Sequence, residues 1–320
     1  MGENLASWHE ILRIGVHDPQ PHRPPARASV PLVPGTFARD AALIAGFDLR
    51  ESLRTRRAIV LVLLYVLIAG IASGVYVSVM REIDQTAAVV LADHEDQLVA
   101  VKDQGYRSVL LFFADNDHAL ADHLATFPAM VLLFAWVSLA FLPWFIALTS
   151  YDQVAGDLHL RTIRYVALRT TRAAYVAGKL AAQAVLVAGV AALGMLPVLV
   201  IGALYLPHFD FLATFTSLVS TWPITVICAL GFLGIVSLAS QLCRTPGTAR
   251  AATVGLLILV YTLATHPTTG PLFAVLSPWH WKPGLFHPDI PTRLLSVAAC
   301  LGLCVGYAAL GFLRFRKRDL

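Results

Sequence analysis

Charge is what this sequence has least of. Only 14% of its 320 residues are Asp, Glu, Lys or Arg, against 57% apolar residues. Soluble domains carry about 25% charged residues. So few charges cannot give an apolar chain of this size a water-facing surface, which excludes a soluble enzyme and a nucleic-acid-binding domain. Cysteine is scarce too. Cys228, Cys243, Cys300 and Cys304 lie in or at the end of apolar runs and offer neither a disulfide framework nor a cysteine metal site. A nucleotide-binding Walker loop is missing: Gly178-Lys179 is a Gly-Lys pair, but position 173 is Ala and no Ser or Thr follows the lysine. A His-Glu-x-x-His zinc signature and a Gly-x-Ser-x-Gly nucleophile elbow are absent as well. No catalytic residue and no cofactor- or metal-binding residue is assigned to the chain.

What the sequence has is long apolar runs. Six span a bilayer by length: Ala58–Met80, Phe127–Thr149, Leu180–Tyr205, Ala213–Gln241, Ala251–Thr265 and Leu294–Leu313. None contains Asp, Glu, Lys, Arg or His, charged forms of which would cost roughly 2.5–3.5 kcal/mol each to insert. Runs of this length also exclude a β-barrel, whose strands alternate. The fold class is therefore all-α, a polytopic membrane protein with six transmembrane helices. Pro128, Pro143, Pro197 and Pro223 fall within the runs as candidate kinks. Thr265–Pro271 breaks the fifth run, and Leu272–Leu276 is too short to cross, which suits a re-entrant or surface piece.

Charge asymmetry orients the spans. Segments 1–57, 150–179, 242–250 and 314–320 carry net charges of +2, +3, +2 and +3, whereas 81–126, 206–212 and 266–293 carry −6, −1 and +1. The positive-inside rule places the first set and both termini in the cytoplasm. The location read from this is a cell membrane, the inner membrane of a bacterium.

Residues 1–40 form a polar, Pro-rich cytoplasmic lead, and 41–320 form the six-span domain. The first apolar run begins only at Ala58, so the lead is not read as a signal peptide. Over 38–57, Leu43, Phe47, Leu49 and Leu53 share one face of a helix whose other face is charged, the pattern of an amphipathic interfacial helix lying on the bilayer. The acidic loop 81–126 suggests two helices on the external side. In it His118 and Asp122 stand one helical turn apart beside His123, spacing that could ligate Zn²⁺ or Cu²⁺, although a solvated acidic helix cap is the plainer reading.

Ion-coupled transporters keep ionisable groups within their spans. With none here, energy for uphill movement would have to come from another subunit. The cytoplasmic loop 150–179 is the candidate contact. Leu160, Ile163, Val166 and Ala167 make a short apolar stripe flanked by Arg161, Arg164, Arg169 and Arg172, which fits either a helix docking on a partner or an ordinary basic loop.

This loop resembles that of type-2 ATP-binding-cassette exporter permeases. Asp157, Thr162-Ile163, the apolar Tyr165–Leu168, Arg172 and Gly178-Lys179 follow the family order, with Arg161 where Gly is usual and Thr170 where Pro is usual. Phe47–Arg57 before the first span and Phe315–Leu320 at the end also match. The resemblance implies a permease subunit that exports a substrate or does conformational work. Its 157–168 segment would be a cytoplasmic coupling helix, contacting a separate ATPase through Asp157, Leu160, Arg161, Ile163, Arg164, Val166 and Arg172. ATP and Mg²⁺ would be bound by that partner, and a second permease copy would complete a homodimer. Gly70-x-x-x-Gly74 and Gly302-x-x-x-Gly306 offer close-packing faces within the chain or between copies. An alternative is a mechanotransducing anchor whose loop 81–126 acts on an extracytoplasmic protein.

Overall fold

The computed structural model describes residues 36–90, 107–111, 113–114, 116–163, 169–206 and 209–317. The Pro-rich lead up to residue 35, the middle of the long acidic loop (91–106) and the last three residues, 318–320, lie outside them. Among the described residues the secondary structure is entirely helical. The helices are α1 Phe37–Arg54, α2 Arg56–Val90, α3 His118–Leu124, α4 Ala129–Ser150, α5 Ala155–His159, α6 Arg172–Leu193, α7 Met195–Tyr205, α8 Phe211–Leu242, α9 Pro246–Thr265, α10 Gly270–Phe273, α11 Pro278–Leu285 and α12 Ile290–Arg316.

Six segments are long and apolar enough to cross a membrane: the first part of α2, α4, α6 with α7, α8, α9 and α12. They coincide with the six runs of the sequence, and the chain is a multi-pass membrane protein. The ends differ where a cap outweighs hydropathy. Asp210 accepts the Ala213 N–H at 2.9 Å and starts α8, Thr245 and Pro246 start α9, and Asp289 caps α12. The Thr292 hydroxyl and N–H both donate to Asp289, which holds its carboxyl below the ordinary range.

The prolines behave differently from one another. Pro128 precedes α4 as its cap residue, so it kinks nothing. Pro143 and Pro223 sit inside continuous helices. Only the third span is interrupted, at Gly194, where α7 begins and Pro197 falls in its first turn, a position that needs no N–H donor.

Two spans form the centre. Of the most apolar window, 67% is buried in α8 and 61% in α4, against 17% in α9 and 22% in both α2 and α12. On α2, Leu61, Tyr65, Ala69, Ser73 and Val77 recur every fourth residue and are buried, while Ile59, Leu63, Leu67, Ile71 and Val75 recur the same way and are exposed. One face of α2 thus packs on the bundle and the other offers an apolar surface of the kind lipid covers. Polar side chains close the helix contacts: Tyr65 bonds Ser138 across α2 and α4 at 2.7 Å, and the Trp222 indole donates to the Ala188 carbonyl at 3.0 Å. Past the fifth span, α10, a 3₁₀ turn at Ala274–Leu276 and α11 form a short helical insert. It is held by Trp281 donating to Val275 O and Tyr307 to Leu276 O. This is the interruption that Thr265–Pro271 announces.

Gly234 lets α8 and α12 meet: a Cβ there would lie 2.6 Å from Cys304 Cα. By contrast a Cβ on Gly74, Gly302 or Gly306 would meet nothing within 4 Å, so among the described residues these serve no close helix contact. We expect Gly234→Leu to lower the thermal unfolding temperature of the detergent-solubilised protein, at a cost of about 1–3 kcal/mol or more because a backbone atom must yield. Gly302→Leu should leave it unchanged in the same assay.

Candidate coupling face

The ends of the bundle that carry Thr36 and Lys317 share a side, and the unusual polar chemistry collects there. α1 lies against α6 because Gly178 lets the backbones touch. A Cβ at that position would fall 2.6 Å from the Ala41 carbonyl oxygen and 2.8 Å from Ile44 Cβ. One residue on, Lys179 turns its ammonium into a buried cluster. Its Nζ is 2.6 Å from Asp48 Oδ1 on α1 and 3.0 Å from Asp157 Oδ2 in α5. The Tyr175 hydroxyl donates to the same Asp157 oxygen, and Thr162 donates to Asp157 Oδ1 at 3.1 Å. One cation therefore joins the surface helix, the third span and the loop between spans two and three. Burying a charge is costly unless it is paired and hydrogen-bonded, and here it is both.

α1 carries its apolar residues outward. Leu43, Phe47 and Leu53 are exposed, whereas Asp48 is buried and Leu49 packs against the core. A helix with a buried acid and an exposed apolar stripe suits an interface whose outer side is lipid. The amphipathic pattern in the sequence identifies the helix, and the structure gives its orientation on the bundle.

The loop itself departs from a single helix over 157–168. Among the described residues Ala155–His159 forms a short α-helix, residues 160–162 turn, and Ile163 is helical again. Arg161 has φ 59°, the left-handed region that glycine adopts freely and other residues adopt at a cost. Leu160 is 71% exposed. Ile163 corrects its expected place in an outward stripe: it is buried among Val154, Tyr175, Val176 and Phe315. Its apolar side chain closes the chain's own core, so it is not available as a docking knob. Arg172 Nη1 donates to the Arg316 carbonyl at 2.7 Å, which fastens the last turn of α12. Arg164 and Val166 lie outside the described residues.

Two further anchors hold the turn. Val154 and Ala155 both donate their N–H to Ser240 Oγ of α8, at 3.0 and 3.2 Å. Arg57 pairs with Asp152 at 3.2 Å and lies over the Tyr151 ring. Between α1, the start of α2 and this turn is a polar cavity of about 310 Å³.

On the other side of the bundle, the residues read as possible metal ligands have other partners. This holds for two of the three: Asp122 pairs with Arg107 at 3.3 Å, and His123 packs edge-on against Phe127, while His118 opens α3 just after its cap Asp117.

The description "ABC-2 family transporter protein" matches residues 42–274. The chain belongs to the ABC-2 transporter family. It is thus a permease of an ATP-binding-cassette transporter, from a family that normally works with a cytoplasmic ATPase subunit. No curated protein sequence matches it. The matched region takes in α1 from residue 42 onward and the loop between spans two and three, so the Asp48–Lys179–Asp157 cluster lies inside the family's own frame, while Phe315 and Arg316 lie beyond it.

The sequence pattern marks Asp157, Arg172 and Gly178-Lys179 in this region, but it gives Gly178-Lys179 no structural role and does not mark Asp48 or Ser240 at all. Lys179 has one local signal, a lysine standing at the edge of span three; Asp48 is one of three acids on α1, with Asp40 and Glu51, and nothing local singles it out.

Removing the cation should expose the role of the cluster. Lys179→Met leaves Asp48 and Asp157 facing each other unneutralised, a loss of about 3–5 kcal/mol for breaking a buried pair from one side. We expect a strongly lowered unfolding temperature, with partial recovery in Lys179→Met/Asp48→Asn. A single variant within about 0.5 kcal/mol of the parent, the ordinary range of a surface change, would mean the lysine is solvated in practice.

Proposed function

We propose that the chain is the membrane subunit of an ATP-driven exporter, with both termini in the cytoplasm of a bacterial inner membrane. It works with a separate ATPase subunit that binds ATP and Mg²⁺ and with a second permease copy. The observation that carries this reading is the buried cluster of Asp48, Lys179 and Asp157. It ties the turn holding Leu160 and Arg161 rigidly to α1 and to the third span. A turn so fixed converts a push from a docked partner into movement of helices, whereas a loose loop would absorb it.

In this reading Leu160 and Arg161 touch the ATPase. Asp157, Ile163 and Arg172 position the turn from within, and Arg164 and Val166 belong to the stretch that follows. The open glycine faces at Gly302 and Gly306 on α12 and at Gly74 on α2 support close approach of a second copy. The chain carries no nucleotide-binding motif, so ATP hydrolysis belongs to the partner.

The test is co-purification. An ATPase subunit should accompany the wild-type chain, and Leu160→Asp should reduce its recovery at least about tenfold, since a charge placed in an apolar contact costs more than the 1.4 kcal/mol that a factor of ten represents. Asn116→Asp, on the opposite side, should have no effect. Recovery of an extracytoplasmic protein in place of an ATPase would instead favour the mechanotransducing anchor. Orientation is checked in intact cells: a cysteine at Thr268 should react with an impermeant maleimide and one at Leu160 should not.

A further inference from the structure

The cavity beside the lysine cluster has the chemistry of a binding site. Its wall carries four carboxylates, Asp48, Glu51, Asp152 and Asp157, against two cations, Arg57 and Lys179. The formal charge is thus negative by two, and a recess with partly apolar walls concentrates such a field. Existing pairs use only part of it: Lys179 takes Asp48 Oδ1 and Asp157 Oδ2, and Arg57 takes Asp152 Oδ2.

Two wall residues are each only 6% exposed and hold unused polar atoms. Asp48 Oδ2 and both terminal atoms of Gln153 have no hydrogen-bond partner among the described residues. Buried carboxylate and carboxamide atoms are costly to leave unpaired. The volume of about 310 Å³ is far more than the ~30 Å³ share of one water and reaches the lower range of small-molecule pockets, roughly 300–1,000 Å³. Among the described residues no group of three or more His, Cys, Asp or Glu is placed to hold a metal ion. An anion would meet a surplus of carboxylates.

We infer that this cavity binds an organic cation through an ammonium or guanidinium group. Asp48 and Glu51 supply charge, Gln153 Oε1 accepts an N–H, and Leu160 and Leu186 line the path of an alkyl stem. Such a group arrives either on a small polyamine-like molecule or on a lysine or arginine side chain of a docked protein. The cavity opens beside exposed Leu160, which admits both.

The probe is agmatine, which carries both groups, titrated calorimetrically into the purified full-length chain, with tetramethylammonium as a cation lacking N–H donors. The expected result is saturable binding of agmatine at one site per chain and none of tetramethylammonium. Glu51→Gln and Gln153→Leu should each weaken binding about tenfold, the scale of one charge-assisted hydrogen bond. Asp122→Asn, on the other side of the bundle, should leave it unchanged. Glu51 is exposed on α1, so its variant remains informative if Gln153→Leu loses its fold. No saturable agmatine binding, equal binding of tetramethylammonium, or unchanged affinity in the Glu51 variant would overturn the proposal. A second arm repeats the titration on the complex purified from membranes. Release of a bound protein subunit by agmatine identifies a partner's side chain as the natural cation, and agmatine binding with all subunits retained identifies a free small molecule.

Discussion

A lysine ammonium at the edge of a membrane must find counter-charge within the protein, and much of the coupling face follows from how Lys179 does so. Its two carboxylates come from elements far apart in sequence, Asp48 before the first span and Asp157 after the second. Neither position would be ordered this way without the other. α1 is drawn close enough to supply Asp48 only because residue 178 has no side chain. The five-residue α5, too short to persist alone, is stabilised where Asp157 collects Lys179, Tyr175 and Thr162. Pairing from two sides lowers the desolvation cost of the lysine, and it leaves acid in excess next to a cavity large enough to hold water or a ligand.

The bundle around this cluster is graded in burial. α4 and α8 are the inner spans, while α2, α9 and α12 keep most of their apolar surface outward. Apolar surface within a bilayer is no liability, so the outer spans need no second covering of protein to be stable. α12 both packs tightly on α8 through Gly234 and presents Gly302 and Gly306 on an open side, two uses of small residues on the same pair of helices.

The six spans were legible in the sequence because insertion selects against charge over some twenty residues at a time, a signal that needs no knowledge of neighbours. The surface helix was legible for a similar reason, its apolar positions recurring at helical spacing. What periodicity does not carry is the identity of the surface that covers an apolar stripe. Ile163 read as a knob for a partner and is covered instead by Tyr175 and Phe315 of its own chain. Lys179 read as the polar end of a loop because the apolar run begins one residue later, although the helix that contains it begins at Arg172. Gly178-Lys179 was weighed against a nucleotide loop, and its actual use, close approach followed by a buried ion pair, depends on α1, which no local pattern brings to that place. Arg161 was noticed as a departure where glycine is usual, and its positive φ shows what the usual glycine would be for.

Ser240 gives the turn a particular mechanical address. Its single hydroxyl accepts two successive backbone N–H groups, those of Val154 and Ala155, and it belongs to α8, the most enclosed of the spans. Lys179 attaches the far end of the same short helix to the third span and the surface helix. The turn is thus pinned at two points, one on the axis of the bundle and one on its rim. A load applied just past both pins, at Leu160, would act as a torque and not as a simple push. Its natural response would be rotation of the rim elements about a nearly stationary α8.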